Sequence, residues 1–218
     1  FDPKFLEEIS KMKEKNLAVE LLKKLIAEQV QIYRRTNVVK SEKFSEIIQG
    51  AMNRYLNGML TNEQVIEELL NLAKQIAAAQ KEGDKLGLTA DELAFYDALT
   101  KPQAIKDFYE NEELIAITKE LADTLRKNRT IDWQKRDSAR AKMRMMIKKL
   151  LKKHKYPPEG MEDAVQTVMT QCELWTDNND MGRMDDKIVD YGKELYKYGL
   201  EAEDVLMVAE EPVKYGRK

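Results

Sequence analysis

Few residues in this sequence have the types and spacing that catalysis needs. His154 is the only histidine and Cys172 the only cysteine, which is too few of the usual nitrogen and sulfur ligands for a zinc site. A serine–histidine–acid arrangement would have to use His154, but its lysine neighbours disfavour the protonated imidazole that such a mechanism forms. We therefore predict no catalytic residue and no metal ligand, and we interpret His154 as interacting with the last carbonyls of a helix.

Two short matches to known motifs are incomplete. Gly192-Lys193 would end a phosphate-binding loop, but Lys187 stands where that loop requires its first glycine. Asp185-Asp186-Lys187 resembles the shorter half of the Mg²⁺ site of restriction-type nucleases, yet no strand pattern surrounds it. Adjacent acids such as Glu162-Asp163 diverge by about 100° on a helix and are typical of solvated faces. The sequence therefore disfavours an enzyme and predicts no cofactor site in this chain.

The most distinctive segment is strongly basic and runs from Ile131 to Tyr156. It has ten lysines and arginines and two acids, a net charge of +8, in a chain whose total is −2, so the remainder carries −10. Asp132 is a suitable N-cap for a long helix that ends near His154. Cations recur on it at i, i+4 along one ridge and beside the apolar stripe. The candidate partner- or phosphate-binding residues are Arg140, Arg144, Lys148, Lys149, Lys152 and Lys153.

Three interpretations of the basic helix stay open. Like charges at i, i+4 repel, so the ridge destabilises the helix unless anions or acidic side chains lie against it. Acidic neighbours in its own fold, an acidic protein surface, or nucleic-acid phosphates would each relieve that repulsion. No series of stacking aromatics accompanies the basic residues, and Trp133 is interpreted as a core anchor. Met145 falls off the apolar face and is expected to be exposed.

The helices that carry this segment are predicted from apolar residues recurring at helical spacing through almost the whole chain. Thr61 with Gln64 and Thr89 with Glu92 are predicted capping boxes at helix starts. The pattern predicts an all-α fold, a multi-helix bundle of about seven to nine helices. A loop is expected at Thr176–Asp180.

The predicted organisation has three parts. Residues 1–82 form the N-terminal helices of the bundle, and 88–178 form a helical region that contains the basic helix. Residues 179–218 form a C-terminal appendage, with a last short helix around Ile188–Tyr198. The glycine-containing segment 83–88 separates the first two parts.

Composition narrows the setting of the protein. The longest apolar run, Val205–Ala209, is far shorter than the ~20 residues that cross a bilayer. The apolar face of the basic helix has no large aromatic residue, which disfavours a membrane-surface helix. With a single cysteine and no visible signal peptide, we expect a cytoplasmic protein without a membrane partner.

Several phrases of the sequence are similar to those of a known family. They are Leu88–Leu99 (LTADELAFYDAL), Asn128–Trp133 (NRTIDW), Arg140–Arg144 (RAKMR) and Lys155–Pro158 (KYPP). In this order and spacing they resemble the C-terminal helical region of the R (restriction) subunit of type I restriction–modification enzymes. The resemblance covers roughly residues 44–175 and is less clear before about Lys40 and after Asn178.

The resemblance implies a part of a larger machine. In that family the R subunit is an ATP-dependent, site-specific deoxyribonuclease whose nuclease and motor domains use ATP and Mg²⁺. None of those motifs occurs here, so this part is expected to be non-catalytic and to need no cofactor itself. The implied role is docking the translocase and endonuclease subunit onto the methyltransferase and specificity subunits, next to the motor domains of its own chain. DNA is a secondary partner. The alternative is a nucleic-acid-binding helical module whose basic helix contacts phosphates.

Overall fold

The computed structural model describes residues 1–130 and 132–180, with side chains as far as Asp177. This part of the chain contains ten α-helices, one 3-10 turn and no strand. The helices are α1 (Pro3–Ser10), α2 (Lys15–Thr36), α3 (Val38–Leu56), α4 (Asn62–Gln80), α5 (Glu82–Leu86), α6 (Ala90–Leu99), α7 (Gln103–Phe108), α8 (Asn111–Asn128), α9 (Asp137–Lys153) and α10 (Pro158–Asp180). The predicted all-α bundle is confirmed. Only α5 and α7 are shorter than seven residues.

Local capping chemistry starts several of these helices where the sequence predicts. The Thr61 hydroxyl accepts from the N–H of Gln64, and the Gln64 side chain accepts from the N–H of Thr61, a complete capping box for α4. The Thr89 hydroxyl accepts from the N–H of Glu92 at the start of α6, but the Glu92 side chain returns no bond to Thr89, so this predicted capping box is only half formed. These side chains satisfy backbone donors that the first turn of a helix leaves unpaired.

The predicted start of the basic helix is wrong. Asp132 does not cap α9, because its backbone is left-handed (φ 54°) and leads into the 3-10 turn Trp133–Lys135. The helix begins at Asp137, after Arg136 in an extended conformation. The turn buries Trp133 completely, and this burial takes precedence over the capping preference of Asp132.

The predicted loop at Thr176–Asp180 is also wrong, since α10 continues to Asp180. Thr176 is 1% exposed, and its hydroxyl accepts a 2.9 Å hydrogen bond from the indole Nε1 of Trp133. Tertiary packing thus keeps the chain helical where its polar composition favours a loop. The predicted helix at Ile188–Tyr198 lies outside the described residues, as does nearly all of the predicted appendage 179–218.

The compact unit Phe1–Thr176 contains two hydrophobic cores. One is built from buried residues of α1 to α4, between Leu6 and Ile76. The other is built from α6 to α10 and their connections, between Leu88 and Trp175. The division into 1–82, 88–178 and 179–218 stays a prediction.

A buried polar cluster lies where α3 meets α5 and α6. The Asn37 side chain donates to Asp97 Oδ2 at 2.7 Å, and Lys40 Nζ lies 3.1 Å from Asp97 and 2.7 Å from Glu82. Burial, the largest effect, raises the pKa of Asp97, and Lys40 opposes that rise. Nearby, the Gln171 side chain of α10 bonds to the corner between α2 and α3. It donates to the carbonyl of Thr36 and accepts from the first backbone N–H of α3, each at 2.9 Å. These contacts hold the α2–α3 corner against α6 and α10.

Candidate interaction surface on the basic helix

The inner face of α9 is apolar and buried in the second core. Met143, Ile147, Leu150 and Leu151 are each no more than 6% exposed. The 3-10 turn before α9 is held by Trp133, which is fully buried and bonded to Thr176 of α10, as the core-anchor interpretation requires. Together these contacts fix the rotation of α9 about its axis and decide which cations face protein and which face solvent.

The ridge of cations predicted on α9 faces α10 along most of its length. Arg140 pairs with Glu173, and both Arg144 and Lys148 pair with Glu162. The Arg144–Glu162 distance is 3.2 Å. Hydrogen bonds from Lys148 and then from Arg144 lower the pKa of Glu162 below its usual value. The repulsion expected along this ridge is therefore relieved by acids of the same chain.

The C-terminal end of α9 meets α8 through Glu120. Lys153 Nζ lies 2.7 Å from Glu120 Oε1, and His154 Nε2 lies 2.6 Å from Glu120 Oε2. Hydrogen bonds from Lys153 and His154 lower the pKa of Glu120. The His154 ring thus contacts a carboxylate on another helix rather than the last carbonyls of its own, which corrects the sequence-based interpretation.

The cysteine is not suited to nucleophilic chemistry. Cys172 is fully buried, and burial raises the pKa of its thiol to about 12. A thiolate, the reactive form, is therefore absent at neutral pH. Within residues 1–130 and 132–180, no group of three or more His, Cys, Asp or Glu side chains is placed to hold a metal ion.

The outward face of α9 is defined by Lys142, Met145, Lys149 and Lys152, all of which are exposed. Met145 is 71% exposed, as predicted from its position off the apolar face. The four residues fall within an arc of about 80° around the helix axis. None of the three lysine side chains makes an ion pair or hydrogen bond with another described residue.

The six predicted site residues therefore do not form one surface. Four of them, Arg140, Arg144, Lys148 and Lys153, have acidic partners on α8 or α10. Lys149 and Lys152 lie on the outward face. Sequence reasoning left Lys142 out of the site, although its seven-residue spacing from Lys149 places both lysines on the same side of α9. Contact with an external partner stays a prediction for all six.

Two residues of the quoted family phrases are structural. The Trp133 indole is buried as described above, and the Tyr156 hydroxyl donates to the carbonyl of Leu99 at 2.7 Å. Burial raises the pKa of Tyr156 to about 12. Both side chains tie separate parts of the second core together, which explains why they accompany the basic helix without lying on its surface.

Residues 1–178 match the family described as "Type I restriction enzyme HindI endonuclease subunit-like, C-terminal". The chain belongs to this family. The predicted resemblance is thereby confirmed, and it extends further toward the N-terminus than the sequence phrases indicate. Its end at residue 178 agrees with the expectation.

Curated relatives place the match in the same class of protein. The chain is 37% identical over 169 residues to the type I restriction enzyme HindI endonuclease subunit of Haemophilus influenzae, covering 78% of the chain and 16% of that protein. It is 34% identical over 160 residues to a protein of Methanocaldococcus jannaschii provisionally named a type I restriction enzyme MjaIXP endonuclease subunit, covering 73% and 15%. The chain thus spans about a sixth of these relatives. No solved structure matches it.

None of the described helices is both long enough and apolar enough to cross a bilayer.

Proposed function

We propose that this chain is the assembly domain of a type I restriction enzyme's endonuclease subunit and has no catalytic role itself. It holds the ATP-dependent translocase and endonuclease subunit on the methyltransferase–specificity core, beside the motor domains of its own chain. The ATP and Mg²⁺ chemistry of the complete enzyme then belongs to other domains. The observation that carries the proposal is membership of a family defined by the C-terminal part of endonuclease subunits.

The fold supports a role as a rigid platform. Helices α1–α4 and helices α6–α10 each have a hydrophobic core of their own. The buried cluster around Lys40 and Asp97 joins these two groups of helices, and breaking a buried ion pair strongly destabilises a fold. Cys172 is an inert buried thiol, and His154 is occupied by Glu120. The exposed, cationic side of α9 is the surface that we propose for contact with the partner.

A competition assay tests the proposal. A polypeptide of residues 1–180, checked for helical content and cooperative melting, is added in excess to the native endonuclease subunit and the methyltransferase–specificity complex. We expect it to block assembly with a half-maximal concentration that follows its own affinity for the complex. Failure of the folded polypeptide to bind that complex or to compete would contradict the assembly role.

The second candidate function is phosphate binding, favoured by three lysines without acidic partners on one exposed face. The same polypeptide is therefore titrated with duplex DNA alone at ~150 mM salt, because phosphate affinity depends steeply on ionic strength. Micromolar DNA binding together with no binding to the subunit complex would replace the assembly role by a nucleic-acid-binding one.

A further inference from the structure

We propose that the outward face of α9 receives an acidic, amphipathic helix of the partner, with carboxylates on its lysines and an apolar side chain against Met145. This inference rests on the proposed function and names the part of the surface that does the docking. It differs from the sequence-based site, because Arg140, Arg144 and Lys148 serve the fold.

The acids that lie beside α9 pair with only some of its cations. Glu173 is taken by Arg140, Glu162 by Arg144 and Lys148, and Glu120 by Lys153 and His154. Among the described residues, these are the acids of α8 and α10 that form ion pairs with α9 or with His154 at its end. The outward lysines are left without an intramolecular partner among the described residues.

The lysines on the outward face of α9 repel one another, and this repulsion lowers the stability of the helix. Lys149 and Lys152 are three residues apart, and Lys149 and Lys153 are four residues apart. Like charges at i, i+3 and i, i+4 repel at low ionic strength. The C-terminal position favours cations through the helix dipole, yet this benefit reaches only the last turn and leaves Lys142 unaided. Carboxylates from outside relieve the repulsion.

The exposed side chain of Met145 favours a protein partner over a phosphate backbone. Its side chain is 71% exposed at the centre of the lysines. A phosphate-binding face gains nothing from an apolar centre, and this one has no aromatic side chain on which a base could stack. A protein partner gains by burying it, and methionine adapts its shape to different apolar surfaces.

The spacing of the face defines the partner's form. Lys142 and Lys149 are seven residues apart, as are Met145 and Lys152, so each pair is separated by about 10.5 Å along the axis. Residues seven apart lie within about 20° of one line along a helix, so these four residues form a strip along which a second helix can lie. A partner helix with an apolar stripe flanked by glutamates or aspartates at that interval complements it.

The test uses the native endonuclease subunit and the methyltransferase–specificity complex. Lys149→Glu/Lys152→Glu reverses two outward charges, and Met145→Asp places a carboxylate at the apolar centre. The charge-matched control is Lys13→Glu/Lys81→Glu, at two exposed lysines outside α9. Because all five side chains are exposed, thermal melting of each variant should stay close to that of the parent, which confirms folding.

We expect the outward double variant and Met145→Asp each to weaken assembly at least tenfold at ~50 mM salt, and the control to change it less than twofold. Raising the salt to ~200 mM should reduce the difference in assembly affinity between the double variant and the parent, because salt screens the charges. Met145→Ala should weaken assembly at both salt concentrations, since burial of an apolar side chain is not screened.

Three results overturn the inference in distinguishable ways. Parent-like assembly by the double variant and by Met145→Asp would remove the docking role from this face while leaving the assembly function standing. No assembly by the parent subunit would remove the proposed function. Loss of DNA affinity in the double variant with unchanged assembly would assign the face to phosphates.

Discussion

The two sides of α9 are both basic and have different surroundings. On the side that faces α10, Arg144 and Lys148 share Glu162. On the outward side, Lys149 and Lys152 have no acidic partner among the described residues. The helix is equally basic on both sides, so local sequence does not separate them. The difference comes from what the tertiary fold places opposite each side.

This comparison teaches that a basic helix is not by itself a binding site. Cations that meet acids of their own chain contribute to packing and are neutralised. Only cations left over after folding can attract a partner, and here they surround an exposed methionine.

Shortening an apolar side chain should destabilise the fold on the buried side of α9 and have little effect on stability on the outward side. Ile147 is 0% exposed, so Ile147→Ala should cost about 2–5 kcal/mol in the free energy of unfolding through lost burial and a cavity. Met145→Ala, on the exposed side, should change it by less than about 0.5 kcal/mol. Urea denaturation of both variants measures the difference. Equal losses would mean that the helix is not oriented as described.

Loosening the anchor beneath α9 should have an intermediate effect. Trp133→Phe removes the hydrogen bond from Nε1 to the Thr176 hydroxyl, and it leaves that buried hydroxyl without its donor. We expect a loss of about 1–3 kcal/mol in the free energy of unfolding. The control is Trp133→Phe combined with Thr176→Val, which removes both polar groups and should recover part of the loss. A double variant that is additive in its single losses would contradict a direct bond.

Neutralising the acid opposite the ridge should have the smallest effect on stability. Glu162→Gln removes the shared partner of Arg144 and Lys148, but the pair is exposed, and exposed ion pairs contribute little. We expect Glu162→Gln to decrease the Tm by much less than Ile147→Ala does. The matched change Lys149→Gln, which breaks no pair, should leave Tm the same or slightly raise it, because it removes like-charge repulsion.

The pH dependence of that small effect has a defined sign. The pKa of Glu162 is lower in the folded chain than its usual value near 4.5. Its contribution to stability is therefore present above the unfolded pKa and is lost as the pH falls through the folded pKa. The Tm difference between the parent and Glu162→Gln should be constant at neutral pH and vanish in acid. A difference that grows on acidification would contradict the assigned pair.

Features that depend on nearby residues were predictable from sequence. The capping box of Thr61 and Gln64 involves residues three apart, and the exposure of Met145 follows from helical periodicity. Features that depend on distant residues were not. The partner of Arg140 lies 33 residues away on α10. The left-handed Asp132 is set by the burial of a neighbouring tryptophan rather than by its own capping preference.

The candidate site was predictable in outline, but the sequence did not show which of its cations meet acids of the same chain. The charge pattern located α9, and its i, i+4 spacing identified a ridge. Helical spacing alone does not reveal which side of the ridge meets α10, because that depends on how Ile147 and Leu151 pack into the core. Two of the predicted residues, Lys149 and Lys152, have side chains without an acidic partner within the described part of the chain, as does Lys142.

Lysine acetylation tests directly whether assembly covers the outward face of α9. The native endonuclease subunit is acetylated both free and assembled with the methyltransferase–specificity complex. Mass spectrometry reports the reactivity of each lysine. The account predicts that Lys142, Lys149 and Lys152 react readily in the free subunit and become protected on assembly. Lys13 and Lys81, the exposed controls, should react equally in both states. Unchanged reactivity of the three outward lysines in the assembled enzyme would contradict the account.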